Sequence, residues 1–191
     1  MSGLSLWLCP PAASSLPALL RRLADLHGTE HFDPHATLVS DEIVPSLQQD
    51  EIIAKVQDGV RNWRKKNLDP LRLRFKDIRT GDRYYQCVLA ALHPDAALTS
   101  LHASIVAEFS LSSPPPPYFP HLSLIYGDLS AELKNRIVAE LSADGTVKAI
   151  SGGESVAIGG EKEFEPKEIL LVKTSGACET WEVLAKIPLE G

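Results

Sequence analysis

The sequence has few cysteines and no grouping of residues typical of a metal site. Its 191 residues include three cysteines, Cys9, Cys87 and Cys178, and no two of them have the CxxC spacing. An odd number without that spacing excludes a zinc knuckle and a complete disulfide framework, so we expect reduced thiols, as inside a cell. No cysteine or carboxylate cluster joins the histidines, and we therefore expect no bound metal.

The sequence also lacks a membrane-spanning segment and a secretory signal. No stretch approaches the roughly 20 consecutive apolar residues that cross a bilayer. Residues 1–13 have neither a basic start nor a long apolar run, so no signal peptide is predicted. These absences predict a soluble protein inside a cell.

The sequence also lacks an excess of basic residues: 19 lysines and arginines face 25 aspartates and glutamates, and the formal net charge is −6. Proteins that follow long nucleic acids usually carry a basic stripe that displaces counterions from many phosphates. The charge thus favours a small phosphorylated ligand over a long polynucleotide. With 44% hydrophobic and 23% charged residues, the composition is that of an ordinary globular protein, made of one compact domain or two small lobes.

Strand-like and helix-like patterns alternate along the chain. Leucines recur at helical spacing from Leu16 to Leu26, and Gly28 is expected to end that helix in a left-handed conformation. A second helix is predicted to begin near Ser46, where Gln49 completes a capping box. Further helices are predicted around residues 98–109 and 130–142, strands at 4–9, 34–40, 71–76, 83–92, 154–158, 169–174 and 181–188, and a surface loop at 143–153.

A four-residue pattern occurs twice, as His35-Ala36-Thr37-Leu38 and as His121-Leu122-Ser123-Leu124. Both copies follow a proline and lie in a strand-like context, about half the chain apart. Because side chains alternate along a strand, each histidine shares a face with the hydroxyl residue two positions later. The pattern predicts two related lobes that each contribute one strand to a shared cleft.

The paired histidines and hydroxyl residues suit the opening of a cyclic phosphate. A base must take a proton from the attacking water, and an acid must protonate the ribose oxygen that leaves; histidine titrates near neutral pH and serves in both roles. Thr37 and Ser123 are expected to hold the charged nonbridging oxygens of the transition state. One copy alone would be weak support, because short motifs constrain function loosely, but two matched copies indicate an active site.

With these motifs the sequence resembles the 2H phosphoesterases, which are defined by two His-x-Thr/Ser motifs followed by hydrophobic residues. Within that superfamily it is most similar to the cyclic phosphodiesterases of fungi and plants. The resemblance extends over nearly the whole chain. It is carried by the two motifs, by residues 5–8 (SLWL) and 85–88 (YQCV), and above all by residues 118–127 (YFPHLSLIYG).

The resemblance implies an α+β fold in which residues 1–191 form a single domain of two pseudo-symmetric lobes. Two antiparallel sheets with outer helices are expected around a central cleft. A metal-independent enzyme without a cofactor is also implied. That enzyme would hydrolyse nucleoside 2',3'-cyclic phosphates to 2'-phosphates, and ADP-ribose 1'',2''-cyclic phosphate to ADP-ribose 1''-phosphate, downstream of tRNA splicing.

The resemblance assigns a role to each motif residue. His121 matches the general base that activates water, and His35 matches the general acid that protonates the leaving oxygen. The two imidazoles are also able to exchange these roles between opening and synthesis. Thr37 and Ser123 match the phosphate-binding positions.

Two aromatic residues match positions that contact the substrate. Trp7 and Tyr126 are expected to contact its base or ribose, because aromatic faces stack on nucleobases. The expected partner is a small-molecule cyclic phosphate, without long nucleic acid or membrane, and the protein is expected to be a monomer. A cytoplasmic location is expected, with Golgi association, as for some fungal relatives, as the alternative.

Other interpretations stay open at this point. One is a noncatalytic nucleotide- or RNA-binding module on the same fold. Another is an RNA-end ligase or exonuclease of the broader superfamily, which the acidic net charge disfavours. A disulfide between the distant Cys87 and Cys178 also stays open.

Several basic residues follow one another along a predicted strand. Alternation places Arg72, Arg74 and Lys76 on one face, with Arg79 and Arg83 close by. A solvated edge face is the preferred interpretation, because strands normally turn charges outward. The alternative is that one of these arginines binds a second phosphate of a dinucleotide-like substrate.

Overall fold

A computed structural model of the protein describes residues 3–150 and 152–190. Within these ranges the chain forms ten β-strands, four α-helices and two short 3-10 turns. The strands are β1 Leu4–Leu8, β2 Ala36–Val39, β3 Leu73–Thr80, β4 Val88–Leu92, β5 His121–Ile125, β6 Val147–Ala149, β7 Val156–Ile158, β8 Glu163–Phe164, β9 Glu168–Lys173 and β10 Glu182–Pro188. The helices are α1 Leu16–His27, α2 Gln49–Arg64, α3 Ala96–Glu108 and α4 Ala131–Ala143, and the 3-10 turns are Tyr84–Gln86 and Cys178–Thr180.

Eight of the strands form one curled antiparallel sheet in the order β10-β9-β1-β2-β5-β4-β3-β8. The motif strands β2 and β5 are its central neighbours, and a single residue pair, Ala36 with Leu122, joins them. The sheet therefore consists of two four-stranded halves that meet at the motifs. These halves correspond to the two antiparallel sheets expected from the sequence, so the α+β fold class is confirmed. Strands β6 and β7 form a separate pair.

One face of the curled sheet packs against the helices and forms the hydrophobic core. Five leucines of β1, β2 and β5 are at most 1% exposed and belong to this core: Leu6, Leu8, Leu38, Leu122 and Leu124. Helix α1 contacts β5, α2 contacts β10, α3 contacts β2 and α4 contacts β3. The apolar residues of the sheet thus lie between the two layers, where their burial stabilises the fold.

The opposite face of the sheet, which we call the cleft face, carries the alternate side chains. Its central residues are Trp7 on β1, Thr37 on β2, His121 and Ser123 on β5, and Leu89 on β4. Thr37 pairs with Trp7 across β2 and β1, and Ser123 pairs with Leu89 across β5 and β4. Paired residues of neighbouring strands point to the same side, so both hydroxyl residues face the cleft.

Two helix ends agree with the sequence patterns. Gly28 follows α1 with φ 63°, and its N–H donates to the Ala24 carbonyl, as expected for a left-handed cap. Ser130 precedes α4, and its hydroxyl accepts a hydrogen bond from the Leu133 N–H.

The expected start of the second helix is wrong. Helix α2 begins at Gln49 and not near Ser46. The N–H of Leu47 donates to the Pro45 carbonyl in a tight turn, and Gln48 has an extended conformation without a side-chain cap. Ser46 lies inside this turn, so the capping box does not form.

Strand β3, which carries most of the basic residues discussed above, is longer than the alternating sequence pattern predicts. In the pairing of β3 with β4, Phe75 is opposite Leu92 and Asp77 is opposite Ala91, so Lys76 is an extra residue on β3. This bulge interrupts the period of two, and the pattern therefore ends at Lys76 although the strand continues to Thr80. The next strand, expected over residues 83–92, begins at residue 88, after a 3-10 turn.

The segment 143–153 is not a single loop. Residues Val147–Ala149 form β6, which pairs with β7, and Ser151 lies outside the described residues. Strand Glu163–Phe164 was not expected because two residues are too few to show a period.

Three features of the described residues concern thiols, membrane spans and metal sites. All three cysteines lie in the described ranges, and each is a free thiol. No described helix is long and apolar enough to cross a membrane. Within residues 3–150 and 152–190, the structure gathers no group of three or more histidine, cysteine and carboxylate side chains that would hold a metal ion.

Helices α2 and α3 approach closely at Gly59. A Cβ atom at this position would lie 2.8 Å from the Ile105 Cα, and the Ser104 hydroxyl donates a 2.8 Å hydrogen bond to the Gly59 carbonyl. We predict that Gly59→Ala lowers the free energy of unfolding by roughly 1–3 kcal/mol, because overpacking separates the helices. The higher helix propensity of alanine, worth about 1 kcal/mol, offsets only part of the overpacking cost.

Urea denaturation measures the change. The exposed Gln57 of the same helix provides the control, because Gln57→Ala should change stability by less than about 0.5 kcal/mol. A Gly59→Ala variant more stable than the parent protein would contradict the close approach.

Candidate active site

Each motif strand contains a bulge directly after its hydroxyl residue. In the ladder of β2 with β1, Thr37 pairs with Trp7 and Val39 pairs with Leu6, which leaves Leu38 as the extra residue. Bulges bend a strand and change the direction of neighbouring side chains. Thr37 therefore faces the cleft, whereas Leu38 and Val39 both face the core.

The second motif repeats this arrangement. Ser123 pairs with Leu89 and Ile125 pairs with Val88, so Leu124 is the extra residue. Both residues after each hydroxyl residue are at most 1% exposed. In a regular strand, the second residue after the hydroxyl residue would face the cleft. Because of the bulge both residues face the core, which explains why both are apolar.

The prolines before the motifs orient the imidazoles. The Nδ1 atom of His35 lies 2.7 Å from the Asp33 carbonyl oxygen, and that of His121 lies 2.9 Å from the Phe119 carbonyl oxygen. A proline holds the residue before it in an extended conformation, which directs this carbonyl to the histidine two positions later. Since a carbonyl only accepts, Nδ1 carries the proton in each ring, and Nε2 is the atom left for chemistry.

The pairing of the central strands brings the two motifs together. Because β2 and β5 are antiparallel and Ala36 is opposite Leu122, His35 lies opposite Ser123 and Thr37 lies opposite His121. Each histidine is thus next to the hydroxyl residue of the other motif. The structure brings all four predicted residues to one place on the cleft face.

Burial changes the acidity of both imidazoles. Desolvation lowers the pKa of His35 from 6.5 to about 4, the Asp33 carbonyl acts in the opposite direction, and a positive charge on His121 lowers it further. Desolvation also lowers the pKa of His121, against the effect of the Phe119 carbonyl. Both rings are therefore neutral at pH 7 in the free protein, and their Nε2 atoms accept protons.

Trp7 and Tyr126, the expected base or ribose contacts, lie against His35. The Trp7 ring stacks on the His35 ring at a centroid distance of 3.6 Å and an interplanar angle of 5°. The Tyr126 hydroxyl donates to His35 Nε2 at 3.3 Å, and the Phe32 ring stacks on Tyr126. Both residues therefore belong to the site. Their contact with a base or ribose stays a prediction.

Two further aromatic residues of the cleft were not predicted as site residues. Trp181, between β9 and β10, contacts Trp7 at 5.4 Å and Tyr85 at 6.0 Å between ring centroids. Tyr85 is 50% exposed, and its carbonyl accepts a 2.7 Å hydrogen bond from the Ser123 hydroxyl. These contacts join the two halves of the sheet. Trp181 is far from both motifs in sequence, so local patterns carry no signal for its position.

The chain matches a known protein family. A family model of cyclic phosphodiesterase-like proteins matches residues 1–189. The chain belongs to this family. Its membership confirms the resemblance to the cyclic phosphodiesterases.

Two relatives in this family are similar over almost their whole length. A cyclic phosphodiesterase of Arabidopsis thaliana is 23% identical over 187 residues, covering 95% of this chain and 92% of the relative. A 2',3'-cyclic-nucleotide 3'-phosphodiesterase of Kluyveromyces lactis is 23% identical over 213 residues, covering 99% and 100%.

Solved structures show the same fold. The apo form of Escherichia coli LigT superposes with a TM-score of 0.59 at 14% sequence identity and covers 98% of this chain and 97% of that one. LigT in complex with 3'-AMP superposes with a TM-score of 0.56 at 13% identity and covers 98% of each chain. The chain and LigT therefore share a fold although their sequence identity is low.

The low pKa of the buried imidazole is measurable without substrate. We predict that His35 titrates with a midpoint near 4 in the free protein, and His121 below 6.5. Since the unfolded His35 binds its proton at higher pH than the folded one, folding stability should fall as pH falls from 6.5 toward 4. NMR titration of the imidazole signals, assigned with His35→Asn and His121→Asn variants, gives both midpoints. A His35 midpoint at or above 6.5 would contradict its burial.

Proposed function

We propose that this protein hydrolyses nucleoside 2',3'-cyclic phosphates at the 3' ester and releases nucleoside 2'-phosphates. The principal support is the pair of imidazoles on adjacent central strands, each with Nδ1 bonded to a carbonyl and Nε2 left for chemistry. The names of the family and of the two relatives support the same reaction.

The proposed reaction uses both imidazoles in one displacement. His121 Nε2 takes a proton from water, whose oxygen forms a bond to phosphorus. The bond from phosphorus to the ribose 3' oxygen breaks, and His35 Nε2–H gives a proton to that oxygen. Two such groups on opposite sides of the phosphorus each contribute about 10²–10⁴ in rate.

Thr37 and Ser123 are the proposed phosphate-binding residues. Their hydroxyl groups donate hydrogen bonds to the nonbridging oxygens, where charge accumulates in the transition state. Ser123 donates to the Tyr85 carbonyl in the free protein, so its hydroxyl must rotate toward the phosphate when substrate binds. The donor is already on a rigid strand, which limits the cost of this rotation.

His35 must gain a proton before it acts as an acid. Its pKa is about 4 in the free protein because burial disfavours the charged ring, but a bound phosphate brings a negative charge that favours the charged ring. The Tyr126 hydroxyl, which occupies His35 Nε2 in the free protein, must also leave that atom. We propose that Tyr126 and Trp7 then contact the ribose or base.

The proposal includes the finer features expected for this family. The reaction needs no metal, because the imidazoles and hydroxyl groups supply the acid, the base and the charge stabilisation. ADP-ribose 1'',2''-cyclic phosphate, a product of tRNA splicing, is proposed as a second substrate. We also propose that the protein is a monomer and that it acts in the cytoplasm.

We predict that His35→Ala and His121→Ala each lower kcat on adenosine 2',3'-cyclic phosphate by about 10²–10⁴, because each removes one proton-transfer group. Phosphorus NMR in the presence of EDTA follows the reaction and identifies the 2'-phosphate. His93→Ala serves as the control, since its ring is bonded to Ser155 and takes no part in the mechanism.

The same measurements separate the alternatives. Ligand binding without turnover by the unchanged protein would favour a noncatalytic binding module. Preference for a long RNA end over the mononucleotide would favour an RNA-end ligase or exonuclease. Loss of turnover on adding EDTA would contradict the metal-independent mechanism.

The two lowered pKa values also predict the pH dependence. The reaction needs neutral His121 and protonated His35, so kcat/KM should be bell-shaped, with its optimum below 6.5 and a decline on either side. The kcat profile should shift to higher pH, because the bound phosphate raises both pKa values. Steady-state rates between about pH 4 and 9 measure both profiles, which report the pair and not either ring alone. A kcat/KM that is flat across this range, with chemistry limiting turnover, would contradict the paired roles.

A further inference from the structure

The cleft face carries a cation that the proposed mechanism does not use. Arg79 on β3 pairs with Leu89 on β4, and Leu89 pairs with Ser123 on β5. The three residues form one row across neighbouring strands and point to the same side. Since strands are about 4.8 Å apart, the Arg79 Cα lies on the order of 10 Å from the Ser123 Cα. A long arginine side chain spans much of that distance.

The guanidinium of Arg79 is held in a defined orientation. Its Nε and Nη2 atoms donate to the two carboxylate oxygens of Asp77 at 2.6 and 2.8 Å. Its Cζ atom lies 5.8 Å from the centre of the Phe119 ring, which stacks on the His121 ring at 5.2 Å. The Phe119 ring therefore links the cation to the proposed catalytic base. The ion pair uses one edge of the guanidinium, so the Nη1 edge lies outside it.

Two other arginines near Arg79 have ion pairs with a different role. Arg72, directly before β3, pairs with Glu163 on β8, and Arg74 on β3 pairs with Asp95 before α3. Each pair links this part of the chain to another element of the fold. Asp77, by contrast, lies two residues from Arg79 on the same strand, so this pair links no distant elements. The Arg79 side chain is also 46% exposed and thus accessible to a ligand.

We propose that Arg79 binds a second phosphoryl group of the substrate, on the 5' side of the ribose that carries the cyclic phosphate. This proposal rests on the proposed function and narrows its substrate class. Asp77 and Phe119 orient the guanidinium before binding, which lowers the entropic cost of the contact. The Nη1 edge then donates charge-assisted hydrogen bonds to phosphate oxygens. In a protein of net charge −6, this cation also offsets the repulsion of a second dianionic group.

Two substrates test the proposal. Adenosine 2',3'-cyclic phosphate has one phosphoryl group, and its 5'-phosphorylated form has two. The unchanged protein should show a kcat/KM about ten- to a hundredfold higher on the second, the range expected for hydrogen bonds to charged groups. Arg79→Met keeps the apolar part of the side chain and removes the charge. It should abolish this preference and change kcat/KM on the first substrate by less than about threefold.

Three further variants make the test specific. Arg72→Met, directly before the same strand, is the matched control and should keep the full preference. Arg79→Lys keeps the charge without the planar fork and should keep part of the preference. Because Arg79→Met leaves the Asp77 carboxylate to repel phosphate, the double variant Asp77→Asn/Arg79→Met removes that charge as well. It should also lack the preference, which assigns the effect to the lost cation.

Equal kcat/KM of the unchanged protein on both substrates would overturn the role of Arg79 and leave the proposed function intact. An equal loss of kcat/KM on both substrates in Arg79→Met would also overturn it, since that is the effect of a structural residue.

Binding of the products, measured by calorimetry, separates the failure of the proposed function from the failure of the role of Arg79. If neither substrate is turned over, but adenosine 2',5'-bisphosphate binds at least tenfold more tightly than adenosine 2'-phosphate and only with Arg79 present, the proposed function fails and the phosphate site stands. If neither substrate is turned over and the two products bind equally tightly, both the proposed function and the role of Arg79 are overturned.

Discussion

The antiparallel contact between β2 and β5 is the constraint on which the site depends. A single pair, Ala36 with Leu122, joins the halves of the sheet, and it sets each histidine opposite the hydroxyl residue of the other motif. A shift of one residue in this register would turn one motif toward the core. The bulges after Thr37 and Ser123 act with this register. They allow two consecutive apolar residues to enter the core while the hydroxyl group remains on the cleft face.

Desolvation is the second constraint on the chemistry. Aromatic residues are only 6% of the chain, yet several of them gather around His35, which is 6% exposed. Trp7 covers one face of the imidazole, and Tyr126 reaches its Nε2 atom. The resulting low pKa keeps the ring neutral in the free protein, so we infer that the arriving phosphate supplies the field that charges it. Such coupling makes protonation of the acid depend on the presence of substrate.

The motifs made much of the fold and the site predictable. Helix α1 and its Gly28 cap, the antiparallel sheet and both motif strands follow from local periods and from the resemblance. Boundaries failed where local chemistry departed from those periods. Ser46 lies in a turn after Pro45. The bulge at Lys76 interrupts the alternating pattern, so the pattern did not predict the second half of β3. The same bulge places Arg79 on the cleft face, in one row with Leu89 and Ser123. The alternation of residues 71–76 therefore did not predict which arginine faces the site.

The sequence by itself determined the chemical groups of the site, the orientation of each imidazole through the preceding proline, and the hydroxyl residue two positions later. All of these depend on residues within four positions of one another, where backbone geometry sets the relation. Only the tertiary structure decided that each histidine lies opposite the hydroxyl residue of the other motif, that Trp181 contacts Tyr85, and that Arg79 lies against Phe119. Those contacts join residues from different strands and turns, and their distances depend on strand register and sheet curvature, which no local pattern contains.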